Sequence, residues 1–249
     1  MRYFAEFSYH GKKYHGWQNQ PNAITVQQVL EQSLTTLLRQ PIEVVGAGRT
    51  DSGVHARQMF AHFDYDGVMP ARLVFRLNSL LPNDIAIRRI LRVGDEAHAR
   101  FDAIRRTYEY HISTRKSPFL HGMSMYLTHP LAVDAMNEAA KILFKYTDFQ
   151  CFSKSNTDVK TYFCTIYQAF WKIEEGHLVF TISADRFLRN MVRAIVGTLL
   201  EVGLGKLSLA DFERIIESKN RSNAGASVPA CGLFLVEVAY EAIFLEEIF

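Results

Sequence analysis

The spacing of apolar residues along the chain predicts a mixture of strands and helices. Residues 2–9 alternate between an apolar and a mixed face, which predicts a strand. The stretch Thr25-Val26-Gln27-Gln28 has the form of a helix capping box, and the apolar residues after it recur at helical spacing. Pro41 is expected to end this helix because proline cannot continue the hydrogen-bond pattern.

Similar patterns recur through the rest of the chain. Further strands are predicted at 42–45, 59–63, 85–91, 105–112, 165–173, 178–183 and 233–240, with a turn at Glu175-Gly176. Further helices are predicted from Pro70, over 132–144, from Phe187 to near Gly203, and after a capping box at Ser208. Strands and helices mixed in two similar halves predict an α+β protein with a continuous sheet, divided into residues 1–112 and 113–249.

Composition predicts a packed globular protein. The chain has 249 residues, of which 48% are hydrophobic, and no apolar run is long enough to span a bilayer. The N-terminus lacks the continuous apolar segment of a signal peptide. The three cysteines are widely spaced and form neither a disulfide framework nor a metal-ligand pattern. These features predict a reduced, cytoplasmic setting without membrane association.

Charge is informative only locally. The formal net charge is +2, which gives no general basic field. One region in the middle of the chain is nevertheless rich in arginine, whose planar fork binds phosphate well. Its members are Arg72, Arg76, Arg88, Arg89, Arg92, Arg100, Arg105 and Arg106. They are compatible with phosphate binding or with solvated surface faces.

The strongest candidate for chemistry is the stretch Gly46-Ala47-Gly48-Arg49-Thr50-Asp51-Ser52-Gly53-Val54-His55. It lies between two predicted strands and contains three glycines around one carboxylate. An arginine close to an aspartate favours the ionised carboxylate, and an ionised carboxylate can be a nucleophile. The same residue types also form ordinary turns, so composition alone leaves both interpretations open.

The order of residues in this stretch resembles the active-site motif of the tRNA pseudouridine synthase A (TruA) family. Other stretches resemble further motifs of that family, and the resemblance extends from residue 2 to residue 240. They are Tyr9-His10-Gly11, Gly16-Trp17-Gln18, 101–110, 187–197 and 224–235. The chain departs from the family at His10, Cys164 and Ala226-Ser227, where the family commonly has Asp, Arg and Pro-Thr.

The resemblance implies roles for three residues, and the position of Arg49 beside Asp51 suggests a role for a fourth. Asp51 corresponds to the essential nucleophile, and Tyr108 to the residue that lies against the target base. Arg193 corresponds to the arginine that pairs with that aspartate, and Arg49 is expected to help keep Asp51 ionised and to bind substrate. Trp17 fits either a packed or an RNA-stacking aromatic. Arg189, predicted one helical turn before Arg193, fits either a phosphate contact or an exposed side chain.

The resemblance also implies a fold, a substrate and a reaction. The expected fold has two similar lobes with a continuous mixed or antiparallel sheet, flanked by helices, and an active cleft between the lobes. The expected reaction converts uridine to pseudouridine at positions 38 to 40 in the anticodon arm of tRNA, in a homodimer without cofactor or metal. Two other classes are an RNA-binding protein without catalysis and a hydrolase, which would need a second carboxylate paired with Asp51, a role that the resemblance gives to no other residue.

Overall fold

The computed structural model describes residues 1–155, 159–174, 177–241 and 244–248. Its strands are β1 (Arg2–Tyr9), β2 (Val45–Gly46), β3 (His55–Asp64), β4 (Ile85–Val93), β5 (Ala103–Ser113), β6 (Met125–Tyr126), β7 (Ile166–Glu174), β8 (His177–Ala184), β9 (Leu233–Tyr240) and β10 (Phe244–Ile248). Its helices are α1 (Val26–Leu38), α2 (Leu73–Leu80), α3 (Val133–Ile142), α4 (Met191–Gly203) and α5 (Leu209–Glu217). The α+β class with mixed pairing and flanking helices is confirmed. The turn predicted at Glu175-Gly176 lies outside the described residues.

The chain forms two compact units. The first contains residues 1–104 and the C-terminal segment from Phe234, and the second contains residues 105–233. These units do not coincide with the expected division after residue 112. The C-terminal segment belongs to the first unit because β9 pairs there in parallel with β3, at His55 and Ala56.

The first unit is built around β1, which lies between β3 and β4 with antiparallel pairing to both. β10 continues the sheet beyond β4, and β2 pairs with the far end of β3. Both faces of β1 are covered, so Phe4 and even Glu6 are buried. The Glu6 carboxylate is paired with Arg89, 2.5 Å away, which compensates for its burial.

Two elements of the first unit differ from their predictions. The strand predicted at residues 42–45 is reduced to β2, because Ile42 and Val44 are buried without entering the ladder. The helix predicted to begin at Pro70 begins at Leu73 instead, after Arg72 in a left-handed conformation with φ 55°. Only one side of this short helix is covered, so Phe75 is exposed.

The second unit has an antiparallel sheet in the order β5-β8-β7, with β6 parallel to β5. Helix α3 packs on β7, α4 and α5. The prediction that α4 begins at Phe187 is wrong, because Asn190 has a left-handed backbone with φ 67° and the helix starts after it. Within α4 only Arg193 and Glu201 are not buried. The capping box at Ser208 is present in both directions, as predicted.

Candidate active site

Asp51 lies in a loop of the first unit, residues 47–54, between β2 and β3. The N-terminal segment approaches this loop so closely that glycine is required. A Cβ on Gly11 would lie 1.9 Å from the Val54 carbonyl oxygen, and one on Gly16 would lie 2.5 Å from the Thr50 oxygen. Gly16 also has a φ of +88°, which side chains disfavour. The loop is therefore fixed by backbone packing.

Hydrogen bonds hold the same loop on both sides of Asp51. The Trp17 N–H donates to the Thr50 carbonyl (3.3 Å), and the Ser52 hydroxyl donates to the Tyr14 carbonyl (3.2 Å). The Val54 N–H donates to the carbonyl of Asp51 itself (3.2 Å), which closes a turn. Asp51 is half-buried. Its backbone position is thus defined by its neighbours.

Trp17 is buried, whereas Arg49 is exposed. Trp17 is only 3% exposed and stacks on Phe7 at 5.5 Å, which fits the packed interpretation. Arg49 is exposed and makes no ion pair or side-chain hydrogen bond within the described parts of the chain. The expected pairing of Arg49 with Asp51 is therefore not found, and the guanidinium lies open to solvent.

Tyr108 lies on β5 in the second unit. Its half-buried ring meets the ring of Phe187 edge-on, with centroids 5.2 Å apart. Tyr110, two residues further along the same strand, is fully buried and donates its hydroxyl to the Pro229 carbonyl (2.8 Å). Burial raises the pKa of Tyr110, so its hydroxyl stays protonated. The prediction that Tyr110 is a packing residue is confirmed.

Arg193 lies in the first turn of α4, also in the second unit. Its Nε donates to the Val228 carbonyl (2.8 Å), and the Val228 N–H donates back to the Arg193 carbonyl (3.2 Å). No sequence pattern signals this contact, because both acceptors are backbone oxygens. Arg193 is therefore oriented by the segment 224–232.

That segment is fixed on α4 by close backbone contact. A Cβ on Gly197 would lie 1.8 Å from the Ala226 oxygen, and the Gly225 N–H donates to the Thr198 hydroxyl (3.0 Å). At the start of the helix, the Asn190 amide donates to the Ser227 hydroxyl (2.6 Å). Sequence interpretation missed these supporting roles. Arg189 precedes α4 and is exposed, so the helical position predicted for it is wrong.

Five of the eight arginines in the arginine-rich region fall into two groups. Arg88 and Arg89 face the buried Glu6, and Arg106 donates to the Asp185 carbonyl (2.8 Å). In contrast, Arg76 and Arg92 are exposed and have no ion pair or side-chain hydrogen bond within the described residues. Exposed guanidinium groups without a protein partner are available to phosphate.

Two of the three cysteines, Cys151 and Cys164, are buried. Burial raises the pKa of Cys151 and that of Cys164 to about 12, which keeps both thiols protonated and unreactive. Among the residues the structure describes, no group of three or more His, Cys, Asp or Glu side chains is arranged to hold a metal ion. In the same residues, no helix is both long and apolar enough to cross a membrane.

Comparison with known proteins identifies the family. A family model described as tRNA pseudouridine synthase matches residues 5–102 and 139–241. The tRNA pseudouridine synthase A of Parabacteroides distasonis is 56% identical over 96% of both chains, and that of Bacteroides fragilis is 55% identical over the same shares. A more distant relative of the same name, from Thermoanaerobacter sp. strain X514, is 39% identical over 93% of this chain and 96% of its own. The chain therefore belongs to the tRNA pseudouridine synthase A family.

Proposed function

We propose that this protein converts uridine to pseudouridine in tRNA, with Asp51 as the nucleophile. The observation that carries the proposal is the fixed position of Asp51. The loop that bears it resembles the family motif in the order of its residues and is held on both sides by glycines, at which a Cβ would collide with the loop backbone. Such preorganisation is what a carboxylate needs in order to attack one atom of a bound substrate.

The proposed reaction balances without a cofactor. The bond between ribose C1′ and uracil N1 breaks, the base turns, and a bond forms between C1′ and C5. The hydrogen on C5 leaves as a proton, and N1 takes up a proton. Asp51 attacks C1′ or C6 as the nucleophile, or acts instead as a base that removes a ribose proton to start an elimination.

The other residues are assigned to positioning and binding. The target base must leave its stack to reach a carboxylate, and unstacking costs a few kcal/mol. We assign Tyr108 to contact with the displaced uracil, because its ring is half-buried and held by Phe187. Arg193 is assigned as the partner of Asp51, and Arg49 as a substrate-binding residue that reaches into solvent.

The substrate positions and the assembly state rest on the family resemblance. They are the uridines at positions 38 to 40 of the anticodon arm, modified by a homodimer in the cytoplasm. A catalytically silent RNA-binding protein is the alternative function, since it would use the same exposed arginines. It would give no reason for a carboxylate on a backbone-fixed loop.

The test is release of tritium from tRNA labelled at C5 of uridine. Unmodified transcript is incubated with the full chain, and the modified uridines are then mapped. We expect stoichiometric tritium release at positions 38 to 40. Binding without release would favour the RNA-binding alternative, whereas release from other uridines would revise the site specificity only.

A further inference from the structure

Phe101 is a largely exposed aromatic residue in the first unit. It lies two residues before β5, and 73% of its side chain is exposed. One face of its ring is nevertheless supported, because the His98 ring lies 4.2 Å away, centroid to centroid, at an angle of 33°. The Arg100 guanidinium carbon is 5.7 Å from the Phe101 centroid. An apolar ring is thus held out into solvent beside a cation.

His98 is fixed by the turn that carries it. Its Nδ1 accepts the N–H groups of Arg100 (3.1 Å) and Phe101 (3.3 Å), and its own N–H donates to the Asp102 carboxylate (2.7 Å). Behind it lies the buried ring of His62, 4.6 Å from the His98 ring. These three rings form a series from the core to the surface, so Phe101 has a rigid support.

The two histidines in this series act as neutral rings. Burial lowers the pKa of His62 to about 4 and also lowers the pKa of His98. At neutral pH both therefore pack as uncharged aromatics, and the positive charge beside the Phe101 ring comes from Arg100. A planar apolar surface next to a guanidinium group suits a nucleobase joined to a phosphate backbone.

We propose that Phe101 is a stacking platform for a base of the bound tRNA other than the target uridine. This inference rests on the proposed function. Phe101 precedes Tyr108 by seven residues, a length of chain that spans at most about 25 Å. An RNA whose target base lies at Tyr108 is therefore within reach of Phe101. Every base has a π face, so the platform needs no particular sequence at this position.

The test compares tRNA binding by Phe101 variants. Affinity is measured with unmodified transcript in an Asp51→Asn background, so that the tRNA is not converted. Phe101→Ala is expected to weaken binding roughly 5- to 150-fold. Phe101→Leu should lose most of the same affinity because it keeps bulk without a π face, and Phe101→Tyr should retain it. The salt dependence of binding should not change, since no phosphate contact is removed.

Phe119→Ala is the matched control. Phe119 is also exposed, at 86%, but it lies in the second unit outside the residues assigned to the site. We expect its variant to bind within about twofold of the parent, and all variants to unfold at the parent temperature.

Several outcomes would overturn the platform. They are unchanged affinity of Phe101→Ala, equal losses in the leucine and tyrosine variants, or an equal loss in Phe119→Ala. Sedimentation tests one further outcome. If the parent protein is a dimer and the Phe101→Ala variant is a monomer, a second copy of the chain, and not tRNA, covers Phe101. The proposed function fails separately, if the wild-type protein releases no tritium from labelled tRNA.

Discussion

The backbones of the Asp51 loop and of α4 are fixed in the same way, but their arginine side chains differ in their contacts. Each backbone is fixed by a close approach that requires glycine, Gly16 against Thr50 in one and Gly197 against Ala226 in the other. The Arg193 side chain is then anchored to a backbone carbonyl. The Arg49 side chain is exposed and has no bonded partner in the described parts of the chain.

This difference separates an anchored guanidinium group from an exposed one that has no bonded partner among the described residues. An anchored guanidinium has already lost its conformational freedom, so it can stabilise a fixed charge at little further entropic cost. An exposed arginine keeps that freedom until it binds, and then contributes through contacts made only with the ligand. We therefore expect substitutions at Arg193 to lower the stability of the protein. Substitutions at Arg49 should affect only its interaction with RNA.

The largest effect is expected at Asp51, because its loop is proposed to supply the reacting group. Asp51→Asn should abolish tritium release, because an amide is not a nucleophile. The affinity for tRNA should stay within a few-fold, since removal of a negative charge near phosphate does not weaken binding. Single-turnover release and equilibrium binding measure the two quantities.

Asp66→Asn is the control for this change. The Asp66 side chain is 92% exposed, and the variant should react at the parent rate. Residual pseudouridine in the Asp51→Asn reaction would argue against Asp51 as the nucleophile, once mass spectrometry has excluded deamidation back to Asp.

The next largest effect is expected at Tyr108. If its hydroxyl handles a proton, Tyr108→Phe should lower the single-turnover rate by roughly 10²-fold or more. Tyr110→Phe is the matched control on the same strand face. It loses the bond to Pro229, so stability should fall by about 1–2 kcal/mol while the rate at saturating tRNA stays within a few-fold. An unimpaired Tyr108→Phe enzyme would leave Tyr108 with a binding role only.

A third prediction tests whether glycine packing positions the Asp51 loop. Gly16→Ala should lower the free energy of unfolding by more than about 2 kcal/mol, because it combines a positive φ with a methyl group against Thr50. Gly48→Ala, within the loop itself, should change it by less than about 0.5 kcal/mol, since nothing lies within 4 Å of its Cβ. Chemical denaturation measures both. Similar stabilities for the two variants would show that the close approach does not hold the loop.

The fold was predictable from the sequence wherever local periodicity was sufficient. β1, β9 and the capped start of α5 lie at their predicted positions. The start of α4 was not predictable in this way. Helical apolar spacing extends back to Phe187, and the hydropathy pattern does not show that Asn190 has a left-handed backbone. β2 was predicted too long for a related reason, since Ile42 and Val44 are buried by packing rather than by strand pairing.

The candidate site was predictable to a different extent. Its residues were suggested by a motif, because their order is unusual for a turn. The directions of their side chains were not predictable, since proximity in sequence does not decide where an arginine points. Arg49 lies two residues from Asp51 and makes no pair with it, whereas Arg193 is anchored by a carbonyl that any residue at position 228 would offer.

The smallest effect is expected at Arg193, and it tests most directly how Arg193 differs from Arg49. Arg193→Lys removes the Nε–H donor to Val228, which a lysine ammonium cannot replace in the same geometry. The free energy of unfolding should fall by about 1 kcal/mol, the usual net value of such a bond, and turnover should fall with it. Arg49→Lys should leave stability within about 0.5 kcal/mol and lower kcat/KM for tRNA, because only bidentate contacts with the ligand are lost. Urea denaturation without RNA, beside steady-state kinetics with tRNA, separates the two. If both variants lose stability equally, or neither does, the distinction between an anchored and an exposed arginine fails.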